Sequence, residues 1–298
     1  MGSVSEESKE QEPFTVLLTG FEPFKRDYPV NPSWEIVRSL PSYLPPLRAK
    51  VPPPSSSSSS SSSPDAPSPL ALPPVRLLVH PAPVHVSYTA VRELVPRLWG
   101  DPGQGEGGEE EEGSSPGKRI DAAIHVGMAG PRPFYSIERR GHREGYKVRD
   151  VDGELLADDG GRGCRRPRLA AGSGEGDGEG EGEGGKEWIW EGLPAELETA
   201  FDVEDILSRW KWHSPRHLDL RISEDAGHYL CDFIYYSSLA HLEKAGERRR
   251  VLFLHVPSDA SDHSIAVGRE LLLQLVRSVA ESELARREKE KSRAEGAN

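Results

Sequence analysis

The chain has 298 residues, a formal net charge of −12 and only 35% hydrophobic residues, so part of its length carries too little apolar surface to fold. Two cysteines cannot form a disulfide framework, and no basic stripe interleaves with aromatics, which disfavours a stapled secreted scaffold and a nucleic-acid-binding module. No apolar run approaches the length of a bilayer span, and Met1 to Pro13 is polar and acidic, without the apolar centre of a secretory signal; a reducing, cytoplasmic setting with no membrane partner is expected.

Gly2 invites a myristoylation reading, but Glu6 stands where serine or threonine is wanted. Thr15-Val-Leu-Leu-Thr-Gly20 reads as a buried strand, followed at once by the turn Phe21-Glu-Pro-Phe24. Asn31-Pro32-Ser-Trp-Glu35 opens a helix, with Asn31 as its cap and Pro32 at the first helical position. Pro52 to Pro74, an uninterrupted serine run between proline clusters, reads as solvated chain. Val75 to His80 is a second buried strand, and Ser87 to Trp99 an amphipathic helix with Val91, Leu94, Val95 and Leu98 on one face.

Asp101 to Gly117 is a second low-complexity tract, with six acids and no base. Ile120 to Val126 is a third strand, running into Gly127-Met-Ala-Gly130. An irregular middle follows, with Cys164 in a Gly/Arg-rich loop and an almost alternating Gly/acid tract from Gly172 to Lys186. Most of the net negative charge sits in these two acidic tracts, so the folded part is near neutral and the acidity points to no cationic substrate. Leu218 to Ile222 is a short strand feeding the apolar helical segment Asp232 to Leu242, and Val251 to Val256 is a further strand. Ser264 to Leu284 is a long closing helix, and the charged tail from Ala285 to Asn298 is expected to fray. A single domain over 14–284 is therefore expected, interrupted at about 52–74, 101–117 and 172–186, with tails at 1–13 and 285–298.

Cys231 stands at the start of a helix and His255 near the end of a buried strand, which are the parts of a cysteine nucleophile and its base. Backbone N–H groups and the macrodipole at a helix N-terminus favour a thiolate. The competing reading is a core cysteine on an amphipathic helix and a hydrogen-bonded core histidine. Strands alternating with helices argue for a largely parallel sheet covered on both faces, whose functional groups gather beyond the carboxyl ends of the strands. Gly20, Gly127, Ile222 and His255 all fall at such ends, which favours the catalytic reading.

Several motifs together resemble the pyroglutamyl peptidase I (pyrrolidone-carboxylate peptidase) family. The family's G-F-x-P-F turn and N-P-S-W-E segment are matched by Gly20-Phe-Glu-Pro-Phe24 and Asn31 to Glu35. Its G-Q-A-G-G-R segment and following Glu-Arg are similar to Gly127-Met-Ala-Gly-Pro-Arg132 and Glu138-Arg139. Its T-A-G-x-F-V-C-N segment is similar to Asp225-Ala-Gly-His-Tyr-Leu-Cys231-Asp232, and its F-I-H-x-P segment to Phe253-Leu-His255-Val-Pro257. The resemblance spans Thr15 to about Leu284 apart from the three inserts. It implies a three-layer α/β/α sandwich and a cysteine exopeptidase that removes an N-terminal pyroglutamate, with a blocked peptide as substrate. Cys231 would be the nucleophile, His255 the base and Glu138 the group that orients the imidazole.

The same resemblance implies that Phe21 and Phe24 pack against the lactam ring, and it places Asn31, Met128 and Tyr229 with them as substrate-binding candidates. It implies no cofactor and no metal, and the ten histidines form no H-E-x-x-H or other close ligand pair in sequence. Three departures stand out: Met128 replaces the family glutamine, Tyr229 replaces another aromatic, and Arg140-Gly-His-Arg143 replaces a run of apolar residues and asparagine. Met128 and the run after Arg139 motivate one alternative, a cysteine amidohydrolase of the same fold acting on another N-terminal group; a second is a non-catalytic relative used for binding, with the long acidic and serine-rich loops as partner sites. On local evidence alone Phe21 and Phe24 also read as turn packing, and Glu138 as the surface half of a Glu–Arg pair.

Overall fold

The computed structural model describes residues 12–47, 72–100, 119–130, 132–156 and 190–296. The serine-rich tract up to residue 71, both acidic tracts, Cys164, Gly2 and Glu6 lie outside the described residues. Among the described residues thirteen elements follow in chain order. They are β1 (Phe14–Gly20), α1 (Pro32–Val37), β2 (Val75–Val79), α2 (Tyr88–Trp99), β3 (Ala122–Met128), β4 (Tyr135–Glu138) and β5 (Arg140–His142), then β6 (Glu196–Glu198), α3 (Val203–His213), β7 (Leu220–Ser223), α4 (Leu230–Lys244), β8 (Val251–Val256) and α5 (Asp262–Glu295).

Six strands form one sheet in the order β2-β1-β3-β8-β4-β7, and β5 and β6 form a separate antiparallel ribbon. The first four strands of that order run parallel. β4 lies antiparallel against β8 and carries β7 parallel to itself, so the last pair reverses direction. β1, β3 and β8 are buried along their whole length, as continuous Val/Ile/Leu-rich runs covered on both faces should be.

Alternation along these strands divides the apolar residues into two cores. Val16, Leu18, Ile124, Val126, Leu252 and Leu254 pack with Ile36 of α1, Trp210 of α3 and Leu271, Leu272, Leu275 and Val276 of α5. Leu17, Ala123, Val251 and Phe253 face the other way, against Tyr88, Val91 and Val95 of α2 and Phe233, Ile234 and Tyr235 of α4. Helices thus cover both faces, and the architecture is the three-layer α/β/α sandwich with a largely parallel sheet.

The local signals explain most boundaries. Asn31 Oδ1 accepts from the backbone N–H of Ser33 at 3.1 Å, capping α1, and Pro32 opens the helix. β3 runs two residues past the expected end, because its pairing with β8 continues through Gly127↔His255 and Met128↔Val256. The middle is more ordered than its composition suggests. It holds β4, the β5–β6 ribbon and α3, whose cap Asp202 accepts from the Asp205 N–H at 3.0 Å. α5 does not end near Leu284 but continues to Glu295. Its charges pair along and across the helix, Arg286 with Glu290 at 2.5 Å, Lys291 with Glu295 at 3.9 Å and Arg287 with Asp121 at 2.8 Å, which favours helix over fraying.

Gly20, the last residue of β1, has the backbone of α1 directly against it. A Cβ there would lie 2.8 Å from the Ser33 carbonyl oxygen and 2.9 Å from the Trp34 Cα, and backbone atoms cannot swing aside. Gly20→Ala is expected to destabilise the fold by about 3 kcal/mol, read as a lowered denaturant midpoint at an unchanged m-value.

Candidate active site

Cys231 is the second residue of α4. The preceding residue but one, Tyr229, is the N-cap and makes no side-chain capping hydrogen bond, so the first-turn N–H groups of α4 have no side chain from their cap. The thiol sits against β3: a Cβ at Gly127 would lie 2.8 Å from Cys231 Sγ and 2.5 Å from the Phe253 ring. Gly127 is paired in register with His255. Paired residues project to the same face, and neighbouring strands lie about 4.8 Å apart. The imidazole therefore stands one strand over from the glycine that makes room for the sulfur. Its ring centroid is 4.7 Å from that of Phe253, the other wall of this niche.

Glu138 reaches the imidazole from β4. Ser136 pairs with His255 and Glu138 with Phe253 across the antiparallel β4–β8 ladder, so Glu138 and His255 are diagonal neighbours on one face. Glu138 is fully buried, and its Oε1 accepts from His255 Nδ1 at 2.7 Å and from Ser136 Oγ at 3.1 Å. With Nδ1 donating to the carboxylate, Nε2 is left as the basic nitrogen. Tyr235 of α4 donates its hydroxyl to the Glu138 backbone carbonyl at 2.9 Å, fixing the strand that carries the acid. Among the described residues Glu138 Oε2 has no hydrogen-bond partner, and Arg132 Nη1 lies 3.8 Å from Oε1.

The electrostatics of the thiol differ from the expectation raised by its helix position. Burial pushes the Cys231 thiol up to about 12, and the charges of Glu138 and Asp232 push the same way; its backbone hydrogen bond and Arg132 oppose this. At rest the group is a thiol, and a nucleophilic sulfur requires that His255 take its proton. Iodoacetamide should therefore alkylate Cys231 in the free protein more slowly than a model thiol at neutral pH. Because the thiolate fraction grows with pH below the pKa, the rate should climb about tenfold per pH unit from 7 to 10 without a plateau. A plateau below pH 8 would instead mean a preformed thiolate.

Other histidines near the site are not placed as its base. His125, on the same face of β3 two residues before Gly127, is buried between Thr19 Oγ1 (2.8 Å from Nδ1) and Ser238 Oγ (2.9 Å from Nε2). Burial lowers its pKa to about 3, so it is a neutral, satisfied core histidine. His263 is exposed at the start of α5.

No protein-family profile matches the chain. Pyroglutamyl-peptidase 1 of Rattus norvegicus is 26% identical over 248 residues, covering 83% of this chain and 81% of that protein. The pyrrolidone-carboxylate peptidase of Thermococcus kodakarensis is 23% identical over 245 residues, covering 81% of this chain and 80% of that protein. Among solved structures, pyroglutamyl peptidase I from Bacillus amyloliquefaciens superimposes with a TM-score of 0.55 at 20% identity, covering 90% of this chain and 96% of that one. Pyrrolidone carboxyl peptidase from Pyrococcus furiosus gives 0.54 at 20% identity, over 91% and 99%. The chain is a relative of the pyroglutamyl peptidases.

In this pyroglutamyl-peptidase relative the substrate-binding candidates separate. Phe24 and Tyr229 face each other with ring centroids 6.1 Å apart, and both pack half-buried against the same cluster as Cys231, which makes them an aromatic wall beside the thiol. Phe21 is buried in that cluster and bridges to Val84, so it supports the wall from behind. Asn31 is buried too. Its Nδ2 donates to the Glu22 carbonyl at 2.9 Å and its Oδ1 accepts from Ser33, so its hydrogen bonds hold the turn that presents Phe24. Met128 is the last residue of β3, 6% exposed and paired with Val256. Alternation directs it to the face opposite Gly127 and the thiol.

Sequence reasoning missed three groups that shape the site. Ser136 and Tyr235 hold Glu138, and Arg132 supplies the nearby positive charge. Only Arg132 lay within a quoted motif; the other two become visible through the β4–β8 register and the α4 packing. His142, His228 and Asp232 also converge beside the nucleophile, although no close ligand pair was expected from the sequence.

Proposed function

We propose that the chain is a cysteine exopeptidase that hydrolyses the amide bond following an N-terminal pyroglutamate, through Cys231, His255 and Glu138. The observation that carries this reading is the 2.7 Å hydrogen bond from His255 Nδ1 to a fully buried Glu138, on the strand beside the glycine that accommodates the Cys231 sulfur. In this reading, His255 Nε2 takes the thiol proton as Sγ attacks the substrate carbonyl carbon, and Glu138 stabilises the imidazolium that forms. Glu138 disfavours a lone thiolate, yet it lies in direct contact with the imidazole. Its charge therefore favours the thiolate–imidazolium pair as a unit.

The tetrahedral oxyanion would be met by N–H groups of the first turn of α4, including that of Cys231. His255 returns its proton to the leaving amine, the C–N bond breaks, and an acyl-enzyme remains. Water, deprotonated by the same imidazole, attacks the thioester; the free pyroglutamate leaves and the thiol is restored. Phe24 and Tyr229 would hold the flat lactam. A substrate with a blocked amino terminus suits this wall, which offers aromatic rings in place of a carboxylate for a free ammonium. A cytoplasmic setting is consistent with the unpaired thiol of Cys231.

The test is a panel of fluorogenic amides bearing pyroglutamyl, glutaminyl, prolyl or N-acetylglycyl groups. Turnover of the pyroglutamyl amide alone, or at least a hundredfold faster than the rest, is the expected result. Preference for another blocked group would favour the amidohydrolase alternative, which Met128 in place of the family glutamine and the altered run Arg140 to Arg143 motivate. Turnover of none of the four would overturn the enzyme reading of this pocket.

A further inference from the structure

We infer that His142, His228 and Asp232 form a site for one divalent ion of the zinc class, immediately behind the Cys231 thiol and separate from it. The three residues come from different segments: His142 ends β5, His228 lies in the loop before α4, and Asp232 follows Cys231 in its first turn. One ligand atom from each lies within 4.8 Å of the other two. The inference is independent of the catalytic reading.

The spacings suit three ligands around one ion. Two ligands held about 2.0–2.1 Å from a tetrahedral zinc ion are about 3.3 Å apart. His142 Nδ1 lies 3.2 Å from Asp232 Oδ1, a hydrogen bond that an ion could replace, and His228 Nδ1 lies 3.8 Å from the other carboxylate oxygen, Oδ2. The second separation is too long for a hydrogen bond and close to a ligand–ligand edge. Two imidazole nitrogens with one carboxylate oxygen suit zinc, cobalt or nickel better than calcium or magnesium, which take oxygen ligands.

The surroundings hold the ligands as a metal's outer partners do. Asp232 is fully buried, and its carboxylate is oriented by the His142 backbone N–H at 3.1 Å and the Tyr146 hydroxyl at 3.0 Å. Gly145 makes space for His228: its φ is +102°, and a Cβ there would lie 2.8 Å from His228 Nδ1. The side chain of His228 is 46% exposed, which gives an ion a path from solvent and leaves a fourth position for water. An ion here would tie the β5–β6 ribbon to the start of α4 and to the loop that carries Tyr229, fixing one half of the aromatic wall.

The test uses the full chain carrying Cys231→Ala, so that the thiol next to Asp232 cannot bind the metal. One Zn2+ per chain by equilibrium dialysis is expected, Co2+ should develop the visible ligand-field bands of a tetrahedral site, and the melting temperature should rise by on the order of 5 °C at a hundredfold excess over Kd. Adding His228→Ala, at an exposed position, should weaken binding at least tenfold and remove both the bands and the thermal shift; His142→Gln should do the same. Absence of bands and shift in the Cys231→Ala chain, or their survival in its His228→Ala derivative, would overturn the site.

Discussion

Cys231→Ala should abolish hydrolysis of a pyroglutamyl amide, lowering kcat/KM by about 10⁵-fold or more while leaving the fold in place. The magnitude follows from losing the covalent route altogether, as when the nucleophile of a catalytic triad is removed. Stability should fall by no more than about 2 kcal/mol, because the change removes only the sulfur atom from its niche beside Gly127. The measurement is steady-state turnover beside a thermal melt. The chain has one other cysteine, Cys164. Activity that survives Cys231→Ala and disappears with Cys164→Ala would move the nucleophile and sink the site described above.

Glu138→Gln should be nearly as damaging, lowering kcat by about 10³- to 10⁴-fold with little change in KM. The carboxylate accepts from His255 Nδ1, and removing its charge takes away the group that stabilises the imidazolium. A glutamine amide turned with its NH2 toward Nδ1 would select the wrong tautomer, which places the proton on the nitrogen that has to accept one. Circular dichroism and denaturant midpoints should separate this from unfolding: the amide relieves a buried charge whose Oε2 has no partner. If Glu138→Gln keeps kcat within tenfold of the parent, the buried acid is a structural anchor for β4 and the mechanism reduces to a Cys–His pair.

Much of this was legible in the chain because the relevant signals are local. The buried runs at Thr15 and Val251 state their own burial, and the Asn31-Pro32 cap states where α1 begins, whereas the run at Val75 forms an edge strand buried only at Val75 and Leu77. Cys231 and His255 could be nominated from a helix start and a strand end. Their meeting depended on a register, Gly127↔His255, that no local pattern contains. The acid was harder still. β4 has four residues, and its antiparallel placement against β8 breaks the parallel run that the alternating elements suggested. Ser136 and Tyr235 became visible only once that pairing was known.

The helix α3 was missed for a different reason. Asp202 and the acidic first turn are an ordinary cap signal, but long polar tracts on the N-terminal side made the whole region read as irregular. The closing helix outruns its apolar pattern because its charges, dense enough to suggest fraying, are spaced to pair. Met128 shows the limit of reading a motif by position. The resemblance places it among the substrate-binding candidates, and β-alternation turns it from the thiol.

Gly127 gives the site an unusual kind of vulnerability. The nucleophile is stored in the volume that a side chain at 127 would fill, so sulfur and Cβ compete for one place. A strand can absorb many substitutions by shifting side chains outward, but here the Phe253 ring closes the remaining side. Even one added methyl group would then evict the reacting atom while sparing every residue that performs chemistry. A chain altered only at this position would carry an intact Cys, His and Glu and still be silent, so an inventory of catalytic residues is no guide to whether such a relative works.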